Sequence, residues 1–312
     1  MAQLGPDTTA AEVLKNVDLT GKRVLITGGS GGLGAETARA LASKGAEVII
    51  TARDARKAQD VVRTTREKLI VDTLELGSLS SVRALAQRLH ASPRALDIVI
   101  ANAAVMACPH ARTEDGFELQ LGTNHLGHFL LTNLIATKLA NDARVVVLSS
   151  AAHHASPVVF EDLHFKTRAY DKWKAYGQSK TANALYAVAL NKRLQQRGIE
   201  AFSVHPGMIE TDLMRHQGEE GMAMARQLRD AGKMAFKTLA AGIATTVYAA
   251  TASALKGKGG AYLVDCNIAE VDAEARDFRY VRPYAIDPDT AEQLWTASEQ
   301  LVGQRFDFKA QV

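Results

Sequence analysis

Cysteine is nearly missing from this sequence. Cys108 and Cys266 are the two in 312 residues, too few for a disulfide framework and in keeping with a reducing cytosol. Each is read as a small buried apolar residue rather than a reactive thiol. Charge of one sign is also in short supply. Lys and Arg number 37 and Asp and Glu 34, a formal balance of +3. No run of five like charges occurs, which argues against nucleic-acid and membrane-surface partners. No uncharged apolar stretch reaches the ~20 residues that cross a bilayer. Residues 1–18 lack the apolar stretch and cleavage pattern of a signal peptide,. Repeats, low-complexity tracts and linkers are absent too. The expectation is a cytoplasmic protein with no membrane span.

What is present is rhythm. Short β-branched runs at 23–27, 47–51, 69–74, 97–101, 144–149, 199–205 and 261–264 alternate with helical patterns near 34–44, 78–90, 116–139, 176–197 and 237–254. The runs are almost wholly apolar, as in a parallel sheet covered on both faces. With right-handed crossovers this predicts an α/β, Rossmann-type, doubly wound parallel sheet of seven strands with helices on both faces. With 47% of its residues hydrophobic, the chain is long enough to enclose a core. It reads as one domain, 1–312. Segments 151–175 and 207–236 interrupt the rhythm and read as substrate lids. Residues 265–312 form an extension ending in an amphipathic helix near 288–301.

The first strand runs into Gly28-Gly-Ser-Gly-Gly-Leu-Gly34, with a helical pattern directly after it. Gly29, Gly31 and Gly34 fit one glycine-rich register, and Gly28, Gly32 and Gly34 a related one. In either, backbone N–H groups at a helix N-terminus, Leu33 among them, are free to face a pyrophosphate. The bland alternative is a tight turn with no ligand; the strand before and the helix after weigh against it. At the end of the second strand an acid would bind the ribose of NAD. Here Arg53 follows Ala52 instead. A guanidinium grips a 2′-phosphate through charge-assisted bonds, so the expected cofactor is NADP(H) rather than NAD(H). Ser30 offers a second contact. A solvated surface arginine is the plain alternative.

Tyr176-Gly-Gln-Ser-Lys180 places a phenol and an ammonium on one helical face,. A neighbouring cation favours the phenolate and lowers its pKa. Alone the pattern is common, and an exposed helix pair explains it equally well. Ser149 and Ser150 follow a buried strand at the sheet edge where α/β sites form,. A hydroxyl there serves either a substrate carbonyl or strand-end capping. Asn124 falls inside the pattern 116–139, where asparagine invites a local distortion and a bound water, or simply faces solvent. His125 and His128, or His153 and His154, suggest metal only weakly, since no acid or cysteine accompanies them at ligand spacing. No metal is expected.

Together these stretches resemble the short-chain dehydrogenase/reductase superfamily over nearly the whole chain, and more narrowly its retinol dehydrogenase-like branch. The resemblance is carried by 27–34, Asn102-Ala-Ala-Val-Met-Ala-Cys-Pro109, Asp115-Gly-Phe117, Asn124-His-Leu-Gly-His-Phe129, Leu148-Ser-Ser-Ala-Ala-His-His154, Tyr176–Lys180 and His205-Pro-Gly207. It implies a catalytic tetrad of Asn124, Ser150, Tyr176 and Lys180, with Ser150 rather than Ser149 at the family position. It implies that Lys180 also holds the nicotinamide ribose and that Asn102 lines the cofactor cleft. Pro206, Gly207 and Thr211 would flank the nicotinamide. Glu75 stands where the family usually has an Asp near the adenine. The family's usual Asn-Asn-Ala-Gly is Ala101-Asn-Ala-Ala104 here, so a methyl group takes the place of a glycine. Relatives often form homo-oligomers through the helices equivalent to 116–139 and 176–197.

The expected reaction is hydride transfer between a nicotinamide and a small-molecule carbonyl or alcohol. Tyr176 acts as acid/base, Ser150 orients the carbonyl, and Asn124 holds a relay water. The methionines of 207–236, with Trp173 and Phe160, suit a bulky apolar ketone or aldehyde; ordinary packing explains them as well. Two rival readings are a dinucleotide-binding regulatory protein without turnover and a nucleotide-sugar epimerase-like enzyme.

Overall fold

The computed structural model describes residues 4–65, 67, 69–210, 213, 227, 236–274 and 277–308. One sheet of eight strands runs in the order β3-β2-β1-β4-β5-β6-β7-β8. The strands are β1 (Arg23–Ile26), β2 (Glu47–Ala52), β3 (Leu69–Thr73), β4 (Leu96–Ala101), β5 (Leu139–Leu148), β6 (Glu200–His205), β7 (Tyr262–Val264) and β8 (Asn267–Ile268). All neighbours are parallel except β7 and β8. The strand order reverses between β1 and β4, where Val24 faces Ile98, so the crevice at their carboxyl ends is the expected ligand site.

The helices are α1 (Ala10–Val13), α2 (Gly32–Ala42), α3 (Ala55–Thr64), α4 (Leu79–Ala91), α5 (Leu119–Leu121), α6 (Gly127–Leu134), α7 (Lys172–Leu194), α8 (Leu239–Gly242), α9 (Ala244–Thr251) and α10 (Pro288–Val302). One face of the sheet packs on Val82, Leu85 and Leu89 of α4, Phe129 of α6 and Leu185 and Leu190 of α7. The other packs on Ala38 and Leu41 of α2, Ala58 and Val61 of α3 and Val247 of α9. β1 is buried throughout, which is why its sequence does not alternate.

Four expectations change. The sheet has an eighth strand, β8, reached from β7 through Asp265 and Cys266, both left-handed at φ 51° and 58°. A two-residue hairpin loop needs that conformation, which Asn-Gly or Asp-Gly usually supplies; cysteine in second place hid it. The helix expected over 116–139 is broken. After α5 comes a π turn, Gly122–Leu126, centred on Asn124, then α6 and a short 3-10 turn, and β5 already begins at Leu139. α3 was not expected, because it buries only Ala58 and Val61 and its other positions are largely polar. α7 begins at Lys172, not Tyr176, because Asp171 Oδ1 caps it by accepting from the N–H groups of Trp173 (2.9 Å) and Lys174 (2.8 Å),. Tyr176 therefore sits inside the helix.

The C-terminal helix α10 lies against α7. Arg193 grips Glu292 (2.7 Å) and stacks 3.8 Å over the Trp295 ring. Among the described residues no helix is long and apolar enough to cross a membrane.

Candidate active site

A cavity of about 1580 Å³ opens at the carboxyl edge of the sheet. Its floor is the loop from β1 to α2. Gly28 has φ +70°, and a Cβ there would stand 2.8 Å from Ala103 Cβ. A Cβ on Gly34 would stand 2.3 Å from the Gly28 carbonyl oxygen and 2.6 Å from Asn102 Nδ2. The loop is thus pulled tight against the end of β4. Asn102 does the pulling: its Nδ2 donates to the carbonyls of Thr27 (2.8 Å) and Gly28 (3.3 Å). Thr27 Oγ1 accepts from the N–H groups of Asn102 (2.9 Å) and Ala103 (3.0 Å). No side chain caps the start of α2 at Gly31, so the helix's first N–H groups and its positive dipole end are left for an anion. These residues fit a dinucleotide pyrophosphate, and Ser30, Gly32 and Leu33 line the cavity beside them.

The adenosine end carries Arg53, exposed, with its Nε 3.9 Å from Glu75 Oε2. Glu75 turns its other oxygen to the Gly77 N–H (2.9 Å). A second cation, Lys57 of α3, also lines this end. It escaped the sequence reading because α3 itself did. At the opposite end Pro206 and Gly207 line the cavity. Thr211 lies outside the described residues, as do Met214, Met222, Met224 and Met234.

Between these ends the structure brings Ser150, Tyr176 and Lys180 together on the cavity wall. Tyr176 and Lys180 are buried in α7, with the ammonium 5.6 Å from the phenol ring centre. Lys180 Nζ donates to the Leu148 carbonyl at 2.9 Å. Ser150 caps the 3-10 turn Ala151–Ala155 by accepting from the Ala152 N–H (3.1 Å). The pKa expectation is corrected here. Burial pushes the Tyr176 phenol above its ordinary value, and the hydrogen bond with Ser150 is what pulls the other way. Burial also lowers Lys180 to about 7. Both groups leave water together, so the cation meant to acidify the phenol is itself discouraged.

Two further polar side chains are tied into the fold. Ser149 is a structural tie, donating to the Lys180 carbonyl at 2.7 Å. The Asn124 side chain is fully engaged in fastening. Its Oδ1 accepts from the Val105 N–H (2.8 Å), and its Nδ2 donates to the Val105 carbonyl (2.9 Å) and Ser179 Oγ (2.9 Å). It locks the loop after β4 onto α7, and its own carbonyl accepts from His128 Nδ1 (2.9 Å).

The histidines serve structure. His128 Nε2 accepts from Thr27 Oγ1 (2.7 Å), so it links Asn124 to the glycine loop. His125 Nε2 meets Ser298 Oγ (2.8 Å). Among the described residues no cluster could hold a metal. His153 Nδ1 donates to the Ser150 carbonyl (2.7 Å), and its Nε2 accepts from the Arg282 N–H (3.1 Å). It thereby ties the serine to the C-terminal extension. No local pattern announces such a partner, which lies 129 residues away. Trp173 and Met208 line the cavity as expected, and Cys108 and Phe278 join them. Phe160 does not; it packs against the main core.

The family model of short chain dehydrogenases matches residues 22–222. Retinol dehydrogenase 12 of Homo sapiens is 40% identical over 299 residues, covering 94% of this chain and 90% of that protein. A crystal structure of a protein from Mycobacterium paratuberculosis is 36% identical with a TM-score of 0.75, covering 96% of this chain and 99% of the other. A short chain dehydrogenase from Burkholderia cenocepacia, solved in complex with NADP, is 26% identical with a TM-score of 0.64, covering 79% and 97%. The chain belongs to the short-chain dehydrogenase/reductase family. Within that family of oxidoreductases it falls in the retinol dehydrogenase-like branch.

Proposed function

We propose that this chain is an NADP(H)-dependent enzyme that interconverts a carbonyl and an alcohol on a bulky apolar substrate at Ser150 and Tyr176. The observation that carries the reading is the pair of hydroxyls, Ser150 and Tyr176, on the wall of a cavity whose floor fits a dinucleotide. The reduced nicotinamide, when bound, supplies the hydride. Ser150 and Tyr176 hold the carbonyl oxygen from two directions, where negative charge develops. Burial keeps the Tyr176 proton in place at neutral pH, so the phenol enters the reaction as an acid. Once it has given that proton to the new alkoxide, a phenolate stands beside Lys180. Each charge then favours the other, and Lys180 holds its proton more firmly. Asn124 and His153 keep the loop and the serine in register for this exchange.

The absence of an acid at the end of β2, where Ala52 and Arg53 stand, and the presence of Arg53, Lys57 and Ser30 support NADP(H). So does the NADP held by the Burkholderia relative. Removing Arg53 as Arg53→Ala should lower the NADPH-to-NADH preference by about tenfold or more, read as the ratio of kcat/KM.

The deciding experiment is Tyr176→Phe, assayed for NADPH oxidation against a panel of aldehydes, ketones and quinones. Turnover should fall by about 10²–10⁴-fold while the dinucleotide still binds, read by fluorescence titration. Near-full turnover in that variant would falsify the assignment. Binding without turnover in the parent protein across the panel would favour a regulatory role instead. Product formation with no net change in NADPH absorbance would favour an epimerase-like reaction.

A further inference from the structure

The 3-10 turn Ala151–Ala155 follows Ser150 directly. In such a turn residues three apart eclipse one another, so Ala151 and His154 share one face and Ala152 and Ala155 the next. All four line the cavity, while His153 points inward and is fully buried. The wall just beyond the Ser150 hydroxyl is therefore three methyl groups and one imidazole. The methyl groups leave room for an apolar body, and the imidazole is the turn's polar side chain toward the cavity.

That imidazole is held in one orientation and one tautomer. His154 Nε2 lies 2.9 Å from the Tyr280 carbonyl. A carbonyl only accepts, so Nε2 carries the proton and Nδ1 keeps a lone pair. The ring stands edge-on to His153 at 4.4 Å and to Phe278 at 5.8 Å, which limits its rotation. Burial holds its pKa below the ordinary histidine value; the bond to the Tyr280 carbonyl and the Asp277 carboxylate pull the other way, and Arg282 acts with burial. Among the described residues no group donates to Nδ1.

We propose that His154 determines specificity by accepting a hydrogen bond at Nδ1 from a hydroxyl on the substrate body, so that hydroxylated apolar carbonyl compounds are preferred over their plain counterparts. The inference rests on the carbonyl reaction proposed at Ser150 and Tyr176. A substrate lacking the hydroxyl would cover the lone pair without satisfying it, and a site built for a hydrogen bond discriminates against such an analogue.

The test uses hexanal, octanal, decanal and dodecanal, each paired with its ω-hydroxy counterpart, with NADPH as reductant. The quantity read is the ratio of kcat/KM within each pair, so losses common to both members cancel. In the parent protein the hydroxy member should lead on the order of tenfold at one chain length and less at the others. His154→Phe should bring that ratio to near one. His154→Gln, which can still donate to Tyr280 and accept from the substrate, should retain part of it and serves if the Phe variant does not fold. A ratio near one at every length in the parent, or an undiminished ratio in His154→Phe, would overturn the inference while leaving the carbonyl reading intact. No NADPH oxidation with any aldehyde or with the wider ketone and quinone panel would remove both.

Discussion

The glycine-loop end of the cavity is made of backbone, and the end proposed for substrate of side chains. At the first, residues consecutive in the chain, Gly28 to Gly34, present peptide groups that Asn102 and Thr27 hold in place. At the second, Ala151, His154, Trp173, Met208 and Phe278 meet from segments far apart. A backbone surface tolerates little change at its tightest point, because a Cβ on Gly34 intrudes on the main chain of Gly28, which cannot yield. A side-chain surface can change identity while its scaffold stays. One end is therefore fitted to a single kind of ligand and the other is open to adjustment.

The sharpest way to break this contrast is at Gly34. In Gly34→Ala the new Cβ would meet the Gly28 carbonyl at 2.3 Å, and overpacking of this kind costs about 1–3 kcal/mol. Dinucleotide affinity should fall on the order of 100-fold, about 3 kcal/mol, with a lower Tm as well. Gly31 has nothing within 4 Å of a built Cβ, so Gly31→Ala should leave Tm within about 1 °C and weaken only dinucleotide binding. Calorimetric melting beside a fluorescence titration separates the two. If Gly34→Ala bound the dinucleotide like the parent, backbone fit would not be what governs that end.

A smaller effect is expected at the seam between the ends, from Lys180. Its folded pKa, about 7, lies below the ordinary lysine value of 10.5. Between these values the unfolded chain binds a proton that the folded chain does not. Stability therefore rises with pH across that window, by up to about 1.4 kcal/mol per pH unit, and the gain is lost as pH falls toward 7. Tyr176 works the other way, since its raised pKa makes stability fall only above pH 10.0. Denaturant melts of Lys180→Met and the parent from pH 7 to 9.5 should therefore diverge in slope, the variant being flatter. Equal slopes would mean that Lys180 keeps its proton in the fold.

The same contrast explains what could be read in the sequence. The cradle was legible because glycine is demanded locally: the strand before, the helix after and the spacing of Gly28, Gly32 and Gly34 all lie within one stretch. Tyr176 and Lys180 were legible for the same reason, being one helical turn apart. The interior position of Tyr176 in α7 was not, because it depends on Asp171 capping the helix earlier. Asn124 was correctly marked as a distortion, and a π turn is what it occupies. Its fastening role depends on Val105 and Ser179, which no periodicity connects. The tie of His153 to Arg282 and the place of Phe278 in the cavity stayed hidden because the C-terminal extension comes back to the site only in three dimensions. β8 stayed hidden because the Asp265-Cys266 loop lacks glycine.

The smallest effect concerns the scaffold of the side-chain end. Asp162 organises the segment between the 3-10 turn and α7. Its carboxylate accepts from the N–H groups of Lys166 (2.7 Å), Thr167 (3.0 Å) and Arg168 (2.9 Å). These bonds hold its pKa well below the ordinary carboxylate range, so the stabilisation is present at neutral pH and is lost as pH falls below 3.8 and through the lowered folded value,. Arg168 stacks 4.1 Å over Phe165 and reaches Gln178 Oε1 at 3.2 Å, two residues beyond Tyr176. Asp162→Ala leaves three N–H groups of a tight turn without their acceptor and loosens the link to α7. Tm should fall by about 2–4 °C, and trypsin should cut sooner after Lys166 and Arg168. Dinucleotide affinity should stay as in the parent, because none of these residues touches the glycine loop. A loss of affinity in step with the loss of Tm would show the two ends to be one cooperative unit, and their separation into a fixed half and an adjustable half would have to be given up.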